Sequence, residues 1–428
     1  MYCGSCMQDN SLALALLSLG QDVQLLPTYT PIRTDESDVS LDRVFFGGIN
    51  VYLNHRFQWW HRIPSWLRSQ LDRPGLIRLT YLAGITNTNT QELGELTLSM
   101  LRGEHVRETD ELVQYLAHQE QPDAVIFSNA LLVGMLHNLK SQWSGPVYCL
   151  LQGDDIFTEG LSEPHRSQAL SLIREKVQQF DGFFVHSNYY KEFMSRYFEI
   201  EGSRFHHIPL GIQLDGFCTL ETSGETHFNQ SVSDNPDSKN TKLCQKIGYF
   251  ARVCPEKGLH QLVEALGLVR KQGIEFELRV AGYVPEQHKE YLGLQIKMSE
   301  QLGFKLLYCE CPDRSTKINF LQSLDIFSVP TVYQEPKGIY VLEALACGVP
   351  VIQPEHGAFP ELVGRTGGGL LVEPGNTSDL ADKIATLIRD DCLREQLGSS
   401  GVRAVSQEFS GEASASALLQ ALDGAMLT

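Results

Sequence analysis

The 428-residue chain lacks any apolar run of about 18 residues, so no membrane-spanning helix is expected. It also lacks a cationic segment leading into an apolar one near its start, the mark of a secretion signal. The expectation is a cytoplasmic protein, with peripheral contact at the inner membrane face as an open option. Basic residues are in deficit, 35 Lys and Arg against 52 Asp and Glu, for a formal net charge of −17. A nucleic-acid backbone is held by a surplus of Lys and Arg, so nonspecific nucleic-acid binding is disfavoured. Cys3-x-x-Cys6 has no second cysteine or histidine pair at ligand spacing, which sets aside its zinc and redox readings. The ten cysteines are scattered, and Cys149, Cys254 and Cys347 fall inside apolar runs. They read as small buried hydrophobes in a reducing compartment.

What is present is a sequence of 42% hydrophobic and 20% charged residues, the balance of a globular protein. The chain is too long for one hydrophobic core and suggests two or three domains. Short apolar runs at Ala124–Ser128, Val147–Gln152 and Phe183–His186 alternate with helical patterns, and so do Phe276–Ala281, Lys305–Tyr308 and Ile326–Pro330. That alternation predicts parallel, doubly wound α/β sheets. Near the start, Leu12, Leu14, Leu16 and Leu17 predict a helix capped by Asp9, Asn10 or Ser11 and closed at Gly20, followed by a strand at Val23–Pro27.

The chemistry concentrates in Tyr333–Glu361. Ile339, Leu342, Leu345 and Ala346 recur at helical spacing until Gly348 supplies a stop, which puts Glu335 in a loop and Glu343 inside a short helix. The backbone amides near Gly338, Ile339 and Tyr340 then form a helix N-terminus, where unpaired donors and the dipole favour a phosphate. Taken alone, two acids eight residues apart also suit a solvated loop acid and a helix-surface acid. Upstream, the apolar run ending at Arg252 passes through Pro255, Lys257 and Gly258 into the helical pattern Leu259, Leu262, Val263 and Leu266. A strand ending in two cations at the carboxyl edge of an α/β sheet marks a ligand position.

Strand–Arg252–x4–Lys257–Gly258–helix together with Glu335-Pro-x-Gly338-x4-Glu343-Ala resembles the retaining glycosyltransferases of GT-B fold, close to glycosyltransferase family 4. The resemblance covers most of the chain and is densest from Ile247 to Pro374. It implies two Rossmann-like domains facing across a cleft, a nucleotide-sugar donor, no cofactor and no metal. Arg252, Lys257 and Glu335 are implied as catalytic. Gly4, Gly338, Ile339, Tyr340 and Glu343 are implied as further donor contacts, with Glu335 orienting the transferred sugar and Glu343 the ribose. Gly4 stands where the family has a glycine-rich turn, followed here by Ser5. The strand that should feed this turn is absent from the sequence, which predicts a gap in the amino-terminal sheet. Cys309–Arg314 stands in place of the family's glycine-containing base-binding loop.

Gln152, Asp154 and Asp155 follow the Val147 strand, Gln152 standing where the family often has a histidine. Paired acids there could hold a metal. With Arg252 and Lys257 present, contacts to acceptor or sugar hydroxyls are the favoured reading. Ser187 reads equally as a helix cap and as a cleft-facing hydroxyl, and His206 and His207 read as structural. Pro27–Pro31 with Leu41–Leu53 is similar to the opening of glycogen and starch synthases. Residues 55–80 carry Arg56, Arg62, Arg68, Arg73 and Arg78 with Trp59, Trp60 and Trp66. They suit a helical excursion packed on the first domain, an acceptor surface or an anionic membrane surface.

The expected organisation is a first domain over 1–212, a polar insertion over 213–243, a donor domain over 244–408 and a terminal helix over 409–428 returning to the first domain. The expected activity is transfer of a sugar, most readily a hexose, to a glycosyl acceptor the sequence leaves unidentified. A nucleotide-sugar binding protein without catalysis and a nucleotide-sugar epimerase of the same fold stand as alternatives.

Overall fold

The computed structural model describes residues 4–28, 31–45, 90–104, 106–217 and 245–426. Residues 46–53 of the glycogen-synthase-like stretch, the basic and aromatic excursion 55–80 and the polar segment 218–244 lie outside them, as does Cys3. The chain divides into two compact units, Met1–Gly211 with Ser414–Thr428, and Ile212–Ala413.

The first unit is built on a four-stranded parallel sheet in the order β1 (Val125–Phe127), β2 (Val147–Leu150), β3 (Gly182–Val185), β4 (Phe205–His207). β2 and β3 are buried along their whole length, which is why they read as continuous apolar runs. Successive side chains point to opposite faces of the sheet. Val147 and Cys149 accordingly enter one core with Phe127, Phe183 and Val185, while Tyr148, Leu150 and Phe184 enter a second. That second core is shared by Leu12 and Leu16 of helix α1 (Gly4–Ser18) and by Ala415, Leu418 and Leu422 of the terminal helix Gly411–Met426.

Helix α1 corrects the reading of the first residues. It begins at Gly4, so Asp9, Asn10 and Ser11 lie inside it rather than capping it. Asn10 and Ser11 are buried and serve a tertiary contact. Ser11 Oγ donates to Glu36 Oε2 at 2.7 Å, Asn10 Nδ2 donates to Ser37 O at 2.9 Å, and Val39 N donates to Asn10 Oδ1 at 3.1 Å. The expected strand at Val23–Pro27 is reduced to an isolated bridge between Leu25 and Ser40. Among the described residues no strand of this sheet precedes Val125.

The second unit holds a six-stranded sheet, entirely parallel, in the order β10-β9-β8-β5-β6-β7. Its strands are β5 (Gln245–Phe250), β6 (Phe276–Ala281), β7 (Leu306–Cys309), β8 (Ile326–Phe327), β9 (Val351–Pro354) and β10 (Gly369–Val372). From β5 the chain winds outward through β6 and β7, then returns to β8 on the other side and winds outward through β9 and β10. The order therefore reverses between β5 and β8. In open parallel sheets the crevice beyond the carboxyl ends of the two strands flanking such a reversal is where ligands bind. Among the described residues no helix is long and apolar enough to cross a membrane.

Candidate functional site

The two segments singled out in the sequence leave the sheet at that reversal. β5 ends at Phe250 and runs through Arg252 to a single turn of 3-10 helix at Pro255–Lys257, then into helix α2 (Leu259–Lys271). β8 runs through Ser328–Tyr333 to Glu335 and into helix α4 (Ile339–Ala346). Helix α3 (Arg314–Gln322) precedes β8. Val332 N donates to Glu256 O at 2.9 Å and ties the two loops together. Gly258 makes the approach possible: its φ is +72°, and a Cβ there would sit 1.7 Å from Pro330 O.

At the centre lies a buried ion pair. Lys257 Nζ is 2.5 Å from Glu335 Oε2, and the hydroxyls of Tyr333 and Tyr340 donate to the same oxygen at 2.7 and 3.0 Å. The ammonium also donates to the Tyr333 hydroxyl at 2.6 Å and lies 4.9 and 5.0 Å from the centres of the Tyr333 and Tyr340 rings. Both faces favour a cation. Burial on its own would push the Glu335 carboxyl up, but the Lys257 charge and the three hydrogen bonds outweigh it and hold the group below the ordinary glutamate value. Burial first, then the Glu335 charge, pushes the Tyr333 and Tyr340 hydroxyls up, so both remain donors.

The sequence expectation for Lys257 is a second phosphate cation beside Arg252. Its ammonium is engaged by Glu335, whereas Arg252 is exposed. Glu335 is in turn held from the rear by Gly357, whose φ of +61° and missing Cβ admit the Glu335 backbone, and Ala358 N donates to Glu335 O at 2.8 Å. Gly338 caps α4 at φ +89° with no side-chain cap, so the first amides of that helix, including those of Ile339 and Tyr340, face outward from its N-terminus.

Glu343 lies inside α4, buried, and it too is paired. Lys317 Nζ of α3 donates to Glu343 Oε1 at 2.6 Å, and Lys317 is 3% exposed. The reading of the sequence missed the Tyr333 and Tyr340 hydroxyls as partners of Glu335 and Lys317 as the partner of Glu343. Lys317 was detectable in principle, because it shares the buried stripe of its helix with Phe320 and Leu321, where an apolar residue is the norm.

The remaining predicted residues fall in the first unit. Gly4 is the first residue of α1, and Ser5 Oγ donates to Gln152 O at 3.5 Å. Gln152 Nε2 donates to Asp9 Oδ1 at 2.6 Å. Asp154 does not present a carboxylate for sugar hydroxyls: it is 4% exposed, and its oxygens accept from Ala130 N at 2.5 Å and Gln152 N at 3.0 Å. Burial, only partly offset by those amides, pushes its carboxyl up to about 6. Asp155 accepts from the Tyr190 hydroxyl at 2.7 Å, and the same hydroxyl accepts from Gly153 N at 2.8 Å. Ser187 resolves to a helix cap, its Oγ accepting from Tyr190 N at 3.1 Å. Among the described residues no group of three or more His, Cys, Asp or Glu side chains is placed to hold a metal ion.

Residues 235–403 match the sequence profile of "Glycosyl transferases group 1". The capsular polysaccharide biosynthesis glycosyltransferase CapM of Staphylococcus aureus is 28% identical over 204 residues, 47% of this chain and 50% of that protein. An N-acetyl-alpha-D-glucosaminyl L-malate synthase of Bacillus anthracis is 35% identical over 175 residues, 41% of this chain and 43% of that one. The matches thus span about half the length of the curated relatives. Among solved structures, a sucrose-phosphate synthase from Thermosynechococcus elongatus superposes with a TM-score of 0.66 at 19% identity, covering 97% of this chain and 92% of that one. Anabaena HepE in complex with UDP superposes at 0.60 and 19% identity, covering 74% and 82%. Over residues 235–403 the chain is similar to the group 1 glycosyl transferases, and its two parallel-sheet units carry the GT-B fold.

Proposed function

We propose that the protein is a glycosyltransferase that moves a sugar from a nucleoside diphosphate donor to an acceptor hydroxyl with retention of configuration and without a metal. One observation carries this reading: the Lys257–Glu335 pair stands beside the uncapped N-terminus of α4 at the reversal of the second sheet. Breaking the anomeric bond puts negative charge on the diphosphate, and preorganised donors aimed at that charge lower the barrier. Arg252 and the first amides of α4 supply those donors, while Lys257 neutralises the neighbouring carboxylate so that it does not repel the departing phosphate. Glu335 Oε2 is held by Lys257 and the two tyrosines, which leaves Oε1 to accept from a hydroxyl of the transferred sugar. Glu343 takes the ribose. The acceptor proton passes to the departing phosphate oxygen on the face from which the acceptor attacks, so the new bond forms as the old one breaks.

The name of CapM and the presence of UDP on HepE support a nucleotide-sugar donor. A hexose is the favoured cargo, and peripheral membrane contact through residues 55–80 is a further part of the reading. The test is incubation with a panel of radiolabelled nucleotide sugars and candidate acceptors, followed by separation of nucleotide, free sugar and product. Label leaving the nucleotide for an acceptor or for water, with the anomeric configuration of the product read by NMR, supports transfer. Label that stays put across the panel, or returns as an altered sugar still on its nucleotide, overturns it.

A further inference from the structure

Lys317 has no part in the chemistry derived above, yet it is the more deeply buried member of an ion pair. It is 3% exposed and Glu343 5%. Two charges taken out of water must recover their hydration from each other, and apolar residues of equal volume usually hold two helices together at least as well. Packing of α3 on α4 therefore does not require the pair. What the pair supplies is a carboxylate held in a fixed direction.

The geometry fits that use. The ammonium is a compact charge on a flexible four-carbon stem, and it donates to Glu343 Oε1 at 2.6 Å. On this reading Oε2 is the oxygen that would accept from a ligand hydroxyl. The arrangement parallels, eight residues further along the chain, the design at Glu335, where a lysine and two tyrosines gather on one oxygen. We propose that Lys317 is a positioning residue that orients Glu343 toward the ribose hydroxyls of a nucleoside diphosphate. This rests on the glycosyl-transfer reading above. Without the ammonium, the carboxylate loses the contact that fixes its direction, and the ribose loses an oriented acceptor.

The experiment is isothermal titration of the full chain with UDP and with its 2′-deoxy and 3′-deoxy analogues, comparing the wild-type protein with Glu343→Gln, Lys317→Met and Lys317→Arg. A hydroxyl donating to a charged partner is worth about tenfold to a hundredfold in affinity. Wild-type protein is expected to prefer UDP to at least one deoxy analogue by about that factor. Glu343→Gln and Lys317→Met are each expected to bring the preference within about twofold, whereas Lys317→Arg, which keeps the charge, retains part of it. If Glu343→Gln erases the preference and Lys317→Met preserves it, Lys317 is structural and the inference fails while the nucleotide reading stands. If Glu343→Gln preserves it, or wild-type protein shows none, the ribose role of Glu343 fails and the inference with it. Should Lys317→Met not fold, as judged by thermal melting, Lys317→Gln replaces it, keeping a donor without the charge. ADP and GDP with their deoxy forms are used where UDP does not bind, and no binding by any of the three overturns the nucleotide reading itself.

Discussion

Lys257 Nζ lies 2.5 Å from Glu335 Oε2, between the rings of Tyr333 and Tyr340, so the cation and the acid that the sequence offers as separate ligand contacts form one neutral unit. On the proposed reading, a donor diphosphate would meet the exposed Arg252 and the head of a helix rather than a bare carboxylate. That division of roles makes the two cations distinguishable by experiment.

Replacing Lys257 by Met strands a buried carboxylate. The expected cost is about 3–5 kcal/mol of stability, the range for removing one partner of a buried pair. Urea unfolding followed by circular dichroism measures it. The double variant Lys257→Met/Glu335→Leu, which removes both charges, is expected to be more stable than Lys257→Met alone, and equal or lower stability would refute the coupling.

Arg252→Ala is expected to act on rate rather than fold. The side chain is exposed, and surface substitutions usually change stability by about 0.5 kcal/mol or less. Loss of a donor to developing phosphate charge costs on the order of a hundredfold in kcat. Steady-state kinetics beside a melting curve separates the two effects. A large drop in melting temperature with unchanged kcat would contradict the assignment.

Two glycines of the site are expected to respond unequally. At Gly258 a Cβ would meet a backbone carbonyl, Pro330 O, at 1.7 Å, and nothing there can yield without parting the loops after β5 and β8. Gly258→Ala is expected to cost about 3 kcal/mol and most of the activity. At Gly338 the nearest atoms are the tips of Leu362 and Phe359 at 3.1 and 3.2 Å, so Gly338→Ala carries mainly the left-handed backbone penalty, about 1–2 kcal/mol. Unfolding midpoints of the two variants give the comparison.

Asp154 makes the first unit sensitive to pH in an uncommon direction. Its folded carboxyl titrates at about 6, above the value near 3.8 expected of an unfolded chain. A group whose pKa is raised on folding binds its proton more tightly in the native state, so its stabilisation is full below about 4 and is lost as pH rises through 6. A raise of about two units corresponds to about 3 kcal/mol. Other carboxylates titrate in the same window with the opposite sign, so the informative quantity is wild type minus Asp154→Asn. That difference in unfolding free energy is expected to decline between pH 4 and pH 6, and a flat difference would show Asp154 to be charged throughout.

The parts of this protein legible in the sequence are those fixed by neighbours along the chain. β6 runs Phe276–Ala281 as expected, and Gly338, Ile339 and Gly348 mark the bounds of α4, because burial on both faces of a strand and the left-handed glycines at helix ends leave local signatures. What escaped depends on residues far apart. Asn10 and Ser11 look like helix caps until Glu36 and Ser37 are placed against them. Val23–Pro27 has the composition of a strand, but only Leu25 forms a bridge, to Ser40. Glu343 looks solvated until Lys317, twenty-six positions earlier, is brought beside it. A motif records which residues meet the ligand, and it does not record what holds them.

The terminal helix has a consequence for how the chain is made. Leu12 and Leu16 share their core with Ala415, Leu418 and Leu422, and all of the second unit is translated in between. On a ribosome the amino-terminal unit therefore emerges first but stays unfinished, with one face of its sheet covered by α1 and still lacking the terminal helix, until the second unit has left the exit tunnel. Domains generally fold in order of emergence, and an early unit held open this long is the part of the chain most in need of a chaperone during synthesis.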